Sequence, residues 1–321
     1  MDNENKKYKV SLAISEAEGL PRVDFDKIDL LILGNPFCKM TPGNPLGSLE
    51  LMEKSINLIG SHLDKTIVSL PLCPLENELS YIQDVLSLLS DMGVHGVEVH
   101  SPGMAMRVET RFPKLKIYFG SFANVYTVHC VEIMQEMGVI GGTLPYELNI
   151  DEIEFIHKNI DFQIWLPIFG PFPIAFSQYC FFHPGQVRYP FKCDHECSEE
   201  VLVDYGAGKK VLHKGRAIFS HRCLNMLKHL PMLLNKGFSH FRIEGLILDV
   251  GSLNEIVDIF HEHINKIIET GDKTTPEIPA PDSRLSKFSP RGFCNGFYFT
   301  RRGMDYVESV MDWDGRLRYK Y

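Results

Sequence analysis

The feature that most constrains the fold is a series of short apolar runs rich in β-branched residues, with amphipathic stretches between most of them. The eight runs are VSLAI from Val10, DLLILG from Asp29, TIVSLPL from Thr66, GVEVH from Gly96, KIYFG from Lys116, GGTLPYEL from Gly141, QIWLPIFG from Gln163 and HFRIEGL from His240. Buried strands that alternate with helical patterns are typical of βα units around a parallel sheet. Eight such units predict a TIM-like (β/α)8 barrel.

The organisation of the chain follows from these runs. Residues 1–270 are predicted to form the barrel domain, and residues 271–321 a C-terminal extension that packs on it. Residues 171–220, after the seventh predicted strand, show no clear helix and contain three cysteines. Long structureless insertions in compact domains are mostly functional. This segment is therefore predicted to be a cysteine-bearing insertion that serves a functional site.

The composition narrows the class of protein. A formal net charge of −8 and a pI near 5.9 create no favourable field around a polyanion, which argues against a nucleic-acid partner. The polar start of the sequence resembles no secretory signal, and no run reaches the ~18 apolar residues of a membrane span. We therefore expect a cytoplasmic protein. Eight cysteines in a reducing compartment indicate metal binding or catalysis rather than disulfides.

Three of the cysteines lie close together in the sequence. Twelve residues separate Cys180 from Cys193, and three separate Cys193 from Cys197. No C-x₂-C pair typical of zinc occurs, whereas iron–sulfur clusters accept thiolates from separate segments. Cys38 follows the second predicted strand as Cys180 follows the seventh, so both would lie at one end of the barrel.

Other interpretations of the cysteines stay open at this point. The three loop cysteines could bind no metal, or they could belong to a zinc-stabilised binding module. The four remaining cysteines fit small buried apolar side chains; they are Cys73, Cys130, Cys223 and Cys294.

Polar side chains are predicted to surround the same end of the barrel. Residues two apart on a strand share a face, so Glu98 points with His100, and Arg242 points with Glu244. Asn124 follows the fifth strand and Glu147 ends the sixth. The predicted catalytic residues are Glu147, Glu244 and His100, and the predicted substrate-binding residues are Asn124, Arg242 and Glu98. Alternatively, Arg242 forms only a buried ion pair with Glu98 or Glu244, and Asn124 only caps its helix.

Several segments together resemble a known family. They are LGNPFC, FSQYC and the C-x₃-C pair, followed by NVYTVHCVEIMQEMG, LPYELNIDEI, FRIEGL and CNGFYF. They are similar to peptidase family U32, the collagenase-like family, and most of all to its ubiquinone-biosynthesis branch. The resemblance covers roughly residues 8–299, and the cysteine pattern is its most specific part.

The resemblance implies a barrel in which Cys38, Cys180, Cys193 and Cys197 hold a 4Fe–4S cluster. It further implies oxygen-independent hydroxylation of a small aromatic or prenylated substrate, with prephenate as oxygen donor and a related family member as heterodimer partner. An RNA-base hydroxylase and a non-catalytic, cluster-bearing partner subunit are the alternatives. Peptidase activity has no support, because neither G-x-S-x-G nor H-E-x-x-H is present.

The chain departs from the family pattern at two places. The family's S-x-R-C reads S-Q-Y-C here, so Tyr179 stands where a basic residue is expected before Cys180. Phe169 stands where a histidine is common. Within the cysteine loop, His183, Arg188 and His195 fit solvated residues, and His195 could also donate a hydrogen bond to a cluster sulfur.

Overall fold

The computed structural model describes residues 7–182, 193, 201–204, 210–271, 283–299 and 305–306. The strands are β1 (Lys9–Ile14), β2 (Leu30–Leu33), β3 (Thr66–Ser69), β4 (Gly96–Val99), β5 (Lys116–Phe119), β6 (Val139–Gly142), β7 (Gln163–Ile164), β8 (Leu166–Gly170), β9 (Pro173–Phe176), β10 (Val201–Asp204), β11 (Lys210–Lys214), β12 (Ala217–Ser220), β13 (Cys223–Asn225), β14 (His240–Glu244) and β15 (Phe293–Cys294). The helices are α1 (Leu49–Ile59), α2 (Leu79–Asp91), α3 (Pro102–Arg111), α4 (Val128–Glu136), α5 (Ile150–Asn159), α6 (Leu230–Asn235) and α7 (Val250–Thr270).

The core is a curled parallel sheet. Strands β14, β1, β2, β3, β4, β5, β6 and β7 pair in that order, each parallel to the next, and β8 pairs in parallel with β14. The seventh predicted run thus contacts β6 through its first half and β14 through its second half. Pro167 has no N–H to donate, and the partner strand changes just before it, at Trp165. The predicted parallel α/β architecture is confirmed.

The regular eight-fold repeat is not observed. A 3-10 turn at Ala17–Arg22 follows β1 in place of an α-helix, the seventh run is divided into β7 and β8, and β8 is followed by antiparallel strands. These strands correct the expectation of a structureless insertion. Strands β10, β11, β12 and β9 form a four-stranded antiparallel sheet in the described part of residues 171–220. Apolar alternation in KVLHK and AIFS around a Gly-containing turn was the local signal.

The two faces of the parallel strands pack against different neighbours. Val10, Leu12 and Ile14 of β1 point outward into the large core shared with the helices, whereas Ala13 faces the interior. The interior cluster is smaller and includes Trp165. It also includes Phe37, Leu212, Ala217 and Phe219, so the antiparallel sheet covers the end of the barrel where the parallel strands terminate.

The connections from strands to helices end at side-chain caps, where the helices begin. The caps of α1, α3, α4, α5 and α7 are Ser48, Ser101, Thr127, Asn149 and Asp249, and each accepts a backbone N–H of its helix. These short polar residues end each loop at a defined point. The loops at the carboxyl ends of the strands are thereby held between two rigid elements.

The described part of the C-terminal extension packs against the rest of the chain. Strand β15 pairs in parallel with β13, Leu285 and Cys294 are fully buried, and Tyr298 donates a hydrogen bond to the Pro167 carbonyl at 2.7 Å. The predicted boundary between residues 270 and 271 stays a prediction. Among the described residues, no helix combines the length and the apolar character that crossing a bilayer requires.

Candidate active site at the carboxyl ends of the strands

A buried ionic network lies where the parallel strands end, with Arg242 of β14 at its centre. Arg242 Nη1 donates to Glu98 Oε1 of β4 and, at 3.1 Å, to Thr143 Oγ1 after β6. Its Nε lies 2.6 Å from Glu244 Oε1 without the alignment of a hydrogen bond, and its Nη2 lies 3.5 Å from Glu244 Oε2. The structure thus brings three of the predicted residues together across distant strands.

The network holds Glu98 and Arg242 in their charged forms. Burial alone raises the pKa of Glu98, but Arg242 and His100 outweigh it and lower the pKa below its usual value. Burial likewise lowers the pKa of Arg242, but Glu244 and Glu98 raise it overall. A buried guanidinium flanked by two carboxylates therefore stays charged at neutral pH.

His100 lies beside the ionic network and is neutral. Burial lowers its pKa to about 4, more than Glu98 raises it. Ser69 Oγ donates to Glu98 Oε2 at 2.6 Å, so the 3.2 Å contact between Ser69 Oγ and His100 Nε2 requires His100 Nε2 to be the donor. This tautomer leaves the lone pair on Nδ1, which is buried and has no hydrogen-bond partner within the described residues. His100 thus offers a proton acceptor in a dry environment.

The imidazole of His100 fits here because residue 120 is a glycine. A Cβ at Gly120 would lie 2.1 Å from His100 Cε1 and 2.4 Å from Nδ1. Real side chains do not approach this closely, so any larger residue displaces the ring.

Tyr146 is a site residue that sequence reasoning missed. Its hydroxyl donates to Glu244 Oε1, and burial together with Glu244 raises its pKa well above the usual value. Its ring stacks on Phe172 at 5.6 Å and lines a narrow space of about 10 Å³ together with Trp165 and Tyr298. Tyr146 precedes Glu147 in LPYEL, and nothing in that segment indicated which of the two faces inward.

Two predicted site residues do not join the network. Glu147 is exposed and accepts a hydrogen bond from Tyr126 Oη at 2.7 Å. Asn124 is exposed in a left-handed conformation with φ 59°. Thr127, not Asn124, caps α4, so the alternative interpretation of Asn124 as a helix cap is wrong.

Aromatic side chains cover the interior at this end. Phe37 packs edge-on against Phe122 and Phe219, each at 5.5 Å between ring centroids, and Phe122 packs against Phe176 at 5.7 Å. Phe37 and Phe219 are buried, whereas Phe122 and Phe176 are partly exposed. The antiparallel sheet and the loop after β2 thus close the interior with rings that can move as side chains.

The cysteine side chains gather outside this aromatic layer. Burial raises the pKa of the Cys38 thiol, and Cys180 and Cys193 raise it further, so both lie within electrostatic reach of Cys38. Cys180 is buried and Cys193 partly buried. The fourth predicted ligand, Cys197, lies outside the described residues, as do His183, Arg188 and His195.

The loop that carries Cys38 is fixed by an internal hydrogen-bond network. Buried Asn44 donates from Nδ2 to the carbonyls of Asn35 at 3.0 Å and Cys38 at 3.1 Å. The Thr41 N–H donates to the Cys38 carbonyl at 3.1 Å. The position of Cys38 is therefore set before any ligand binds.

The donor set fits an iron–sulfur cluster better than a single ion. Within the described ranges, no three histidine, cysteine or carboxylate side chains are arranged to hold one metal ion. In a 4Fe–4S cluster each thiolate binds a different iron, so the sulfurs need to surround a common volume and not to meet at a point. The thiols of Cys180 and Cys193 lie within electrostatic reach of Cys38 on separate segments, which suits that arrangement.

The other cysteines differ in environment. Cys223 and Cys294 are buried as expected, and burial raises the pKa of Cys294 to about 12. Cys130 is partly buried on α4. Cys73 is exposed, contrary to expectation, because it lies in the loop after β3 and not in the strand.

The two departures from the family pattern have structural counterparts. Tyr179 is half exposed, and the cationic group near the cysteines is Arg216, which lowers the pKa of Cys38 against the effect of burial. Phe169 is fully buried in the outer core against Phe260 at 5.8 Å, so no polar residue is needed there.

Three curated proteins are similar to this chain. A 23S rRNA 5-hydroxycytidine synthase of Escherichia coli is 24% identical over 70% of this chain and 34% of its own length. "tRNA hydroxylation protein P2" of Bacillus subtilis is 21% identical over 78% of this chain and 85% of its own length. "tRNA hydroxylation protein P" of Helicobacter pylori is 21% identical over 79% of this chain and 62% of its own length. The chain thus spans about a third of the length of the Escherichia coli protein.

These relatives overturn two expectations. A small aromatic or prenylated substrate was the main expectation and is wrong by this comparison, because all three proteins are named for hydroxylation of RNA. The argument against a nucleic-acid partner is wrong for the same reason. Prephenate as oxygen donor and a related family member as heterodimer partner are tested by none of these comparisons and stay predictions.

Family membership rests on a match over most of the chain. A solved structure of a U32 peptidase has 11% identity and a TM-score of 0.45 over 76% of this chain and 95% of its own. The family model described as peptidase family U32 matches residues 39–308. The chain belongs to peptidase family U32.

Proposed function

We propose that this protein is an oxygen-independent hydroxylase of a base in tRNA or rRNA. The observation that carries the proposal is the similarity, over 70–79% of this chain, to three proteins named for RNA hydroxylation. A 4Fe–4S cluster held by Cys38, Cys180, Cys193 and Cys197 is part of the proposal. The thiols of Cys180 and Cys193 lie within electrostatic reach of Cys38, which supports it.

The interior network provides the groups that would handle the substrate. Arg242 is held by the carboxylates of Glu98 and Glu244 and keeps its charge. Its ion pair with Glu244 orients that carboxylate toward the Tyr146 hydroxyl. Replacing a ring hydrogen by a hydroxyl group oxidises the base by two electrons. An organic oxygen donor would deliver the hydroxyl group and take up those two electrons, and the ring hydrogen would leave as a proton. Neutral His100, with its lone pair on Nδ1, is the group suited to accept it.

The cluster, when bound, would supply one-electron transfer, since four thiolates complete its coordination. Cys38 lies in a fixed loop directly after Phe37, whose ring packs in the apolar interior of the protein. Phe37 therefore links the loop of Cys38 to the aromatic layer over the interior. Phe37 and its neighbours would keep water away from that interior.

An RNA base reaches such a site only when it is unpaired or flipped out of a helix. Exposed aromatic side chains suited to stacking lie in the segments that follow the strand ends. They are Tyr126 after β5 and Tyr179 and Phe181 after β9. Base–aromatic stacking contributes about 1–3 kcal/mol per base and needs no large positive field. A net charge of −8 is compatible with this mode of binding, because phosphate contacts depend on local charge.

The proposal is tested by deleting the gene in its host, growing the strain without oxygen and analysing nucleosides from separated tRNA and rRNA. We expect one nucleoside that carries an additional oxygen atom to disappear from one of the two fractions. The wild-type gene and Cys130→Ser should restore it, whereas Cys38→Ser and Glu244→Gln should not. Unchanged nucleosides in both fractions after deletion would contradict the RNA-hydroxylase proposal.

The cluster is tested separately. Protein purified without oxygen should contain iron and sulfide, and Cys38→Ser should lose most of both while Cys130→Ser retains them. A folded, iron-free wild-type protein from this preparation would remove the cluster from the proposal and leave the RNA substrate to be decided by the nucleoside analysis.

A further inference from the structure

Arg216 lies in the turn that holds the Cys180 segment in place. The turn connects β11 to β12 and contains Gly215 with φ 59°. The Phe181 N–H donates to the Gly215 carbonyl at 2.9 Å, and the Ser177 N–H donates to the Arg216 carbonyl at 2.8 Å. These two bonds on either side of Cys180 fix the backbone of Arg216 relative to this predicted ligand.

The Arg216 side chain extends toward the loop that carries Cys38. It lines a narrow cleft of about 20 Å³ together with Phe37, Lys39, Glu78 and Gln178. Its charge acts on both the Cys38 thiol and the Glu78 carboxylate. Its Nε is buried and has no hydrogen-bond partner in the part of the chain that the structure describes. The guanidinium thus retains an unused donor beside the cysteine set.

A second cation in this cleft is already engaged by a carboxylate. Lys39 Nζ lies 2.8 Å from Glu78 Oε1 and 5.4 Å from the centre of the Tyr81 ring. Tyr179, the residue before Cys180, carries no charge. Among the residues that the structure describes in this cleft, Arg216 is therefore the positive group that remains to compensate negative charge on the cysteines.

We propose that Arg216 is the positioning residue of the cysteine set, holding a fixed positive charge beside the bound cluster and raising its reduction potential. The inference rests on the cluster in the proposed function. Reduction adds one electron to the cluster and makes it more negative, while Arg216 keeps its proton and its charge. A nearby cation therefore stabilises the reduced form more than the oxidised form.

The test is the midpoint potential of the protein purified without oxygen, measured by a redox titration followed by electron paramagnetic resonance. Arg216→Gln should shift the potential to more negative values, because it removes the positive charge. Arg216→Lys should keep it near the wild-type value. Glu78→Gln should shift it in the opposite direction, because it removes a carboxylate on which Arg216 acts while leaving an oxygen to accept the Leu75 N–H.

Arg284→Gln is the matched control, because it removes one positive charge from an exposed pair with Glu262 on α7. It should leave the potential unchanged. If Arg216→Gln retains no iron, the Glu78→Gln variant is the test. A shift of its potential to more positive values supports the inference, and a shift to more negative values contradicts it. Equal potentials in wild type, Arg216→Gln and Glu78→Gln would overturn this inference alone. Wild-type protein without iron and sulfide would overturn it together with the cluster.

Discussion

The polar network and the cysteine set lie at the same end of the barrel but differ in how their charges are balanced. Glu98, Arg242 and Glu244 stand on or at the ends of strands and neutralise one another within the protein. The thiols of Cys38, Cys180 and Cys193 stand on loops, and negative charge on Cys180 or Cys193 raises the pKa of Cys38. The network therefore balances its charges within the protein, whereas the cysteine thiolates of the proposed cluster would need the metal and a nearby cation to balance theirs.

Removing Arg242 should have the largest effect on stability. Arg242→Ala leaves Glu98 and Glu244 buried without their counter-charge, and breaking a buried ion pair in this way costs about 3–5 kcal/mol. The free energy of unfolding in urea measures it. Lys287→Ala, which breaks an exposed pair with Glu255, should cost about 1 kcal/mol or less. Equal losses in the two variants would show that the network does not act as a buried ionic unit.

Acidification should have the second-largest effect on the free energy of unfolding. Above its unfolded pKa of 6.5, His100 is neutral in both states, and the stability it contributes is lost as the pH falls toward its folded pKa of about 4. Within this window the unfolded chain binds more protons, so the free energy of unfolding should fall by up to roughly 3 kcal/mol. His240, whose pKa is also lowered to about 4 by burial, adds to the same window.

The measurement is the free energy of unfolding at pH 7 and at about pH 4.5. His100→Gln should make the pH dependence shallower, and His129→Gln on the exposed face of α4 serves as the control. A slope in His100→Gln as steep as in the wild type would show that His100 is not held neutral by burial.

Filling the space beside His100 should have a moderate effect. Gly120→Ala places a Cβ 2.4 Å from His100 Nδ1 and should cost about 1–3 kcal/mol of unfolding free energy. Gly103→Ala is the matched control, because its Cβ meets no atom within 4 Å and lies in α3. It should stabilise the protein by up to about 1 kcal/mol. Destabilisation by both variants alike would remove the steric explanation.

Substituting a predicted cluster cysteine should have the smallest effect on the unfolding free energy of the iron-free protein. Cys38→Ser should change the unfolding free energy of the iron-free protein by about 1 kcal/mol or less. The iron-loaded wild type should be more stable than its iron-free form, because a ligand of the folded state adds its binding free energy. That difference should vanish in Cys38→Ser and persist in Cys130→Ser. A large loss in the iron-free Cys38→Ser protein would make Cys38 a core residue in the manner of Cys294.

The sequence was informative where structure is local and periodic. Alternation with a period of two placed Glu98 with His100 and Arg242 with Glu244, and both pairs join the network. Apolar β-branched runs fixed the strands of the parallel sheet, since each strand must bury both faces. Soft ligands at uneven spacing favour a cluster, and this stays a prediction.

Only the tertiary structure decided what depends on distant parts of the chain. Arg242 and Glu98 are 144 residues apart, and their contact follows from the curl of the sheet. Past the end of β6 the backbone no longer alternates, so the choice between Tyr146 and Glu147 as the inward residue followed from packing against Phe172. The position of Arg216 beside the thiols depends on an antiparallel sheet that folds over the end of the barrel. Periodicity carries no information about such contacts, because they arise when separate elements pack together.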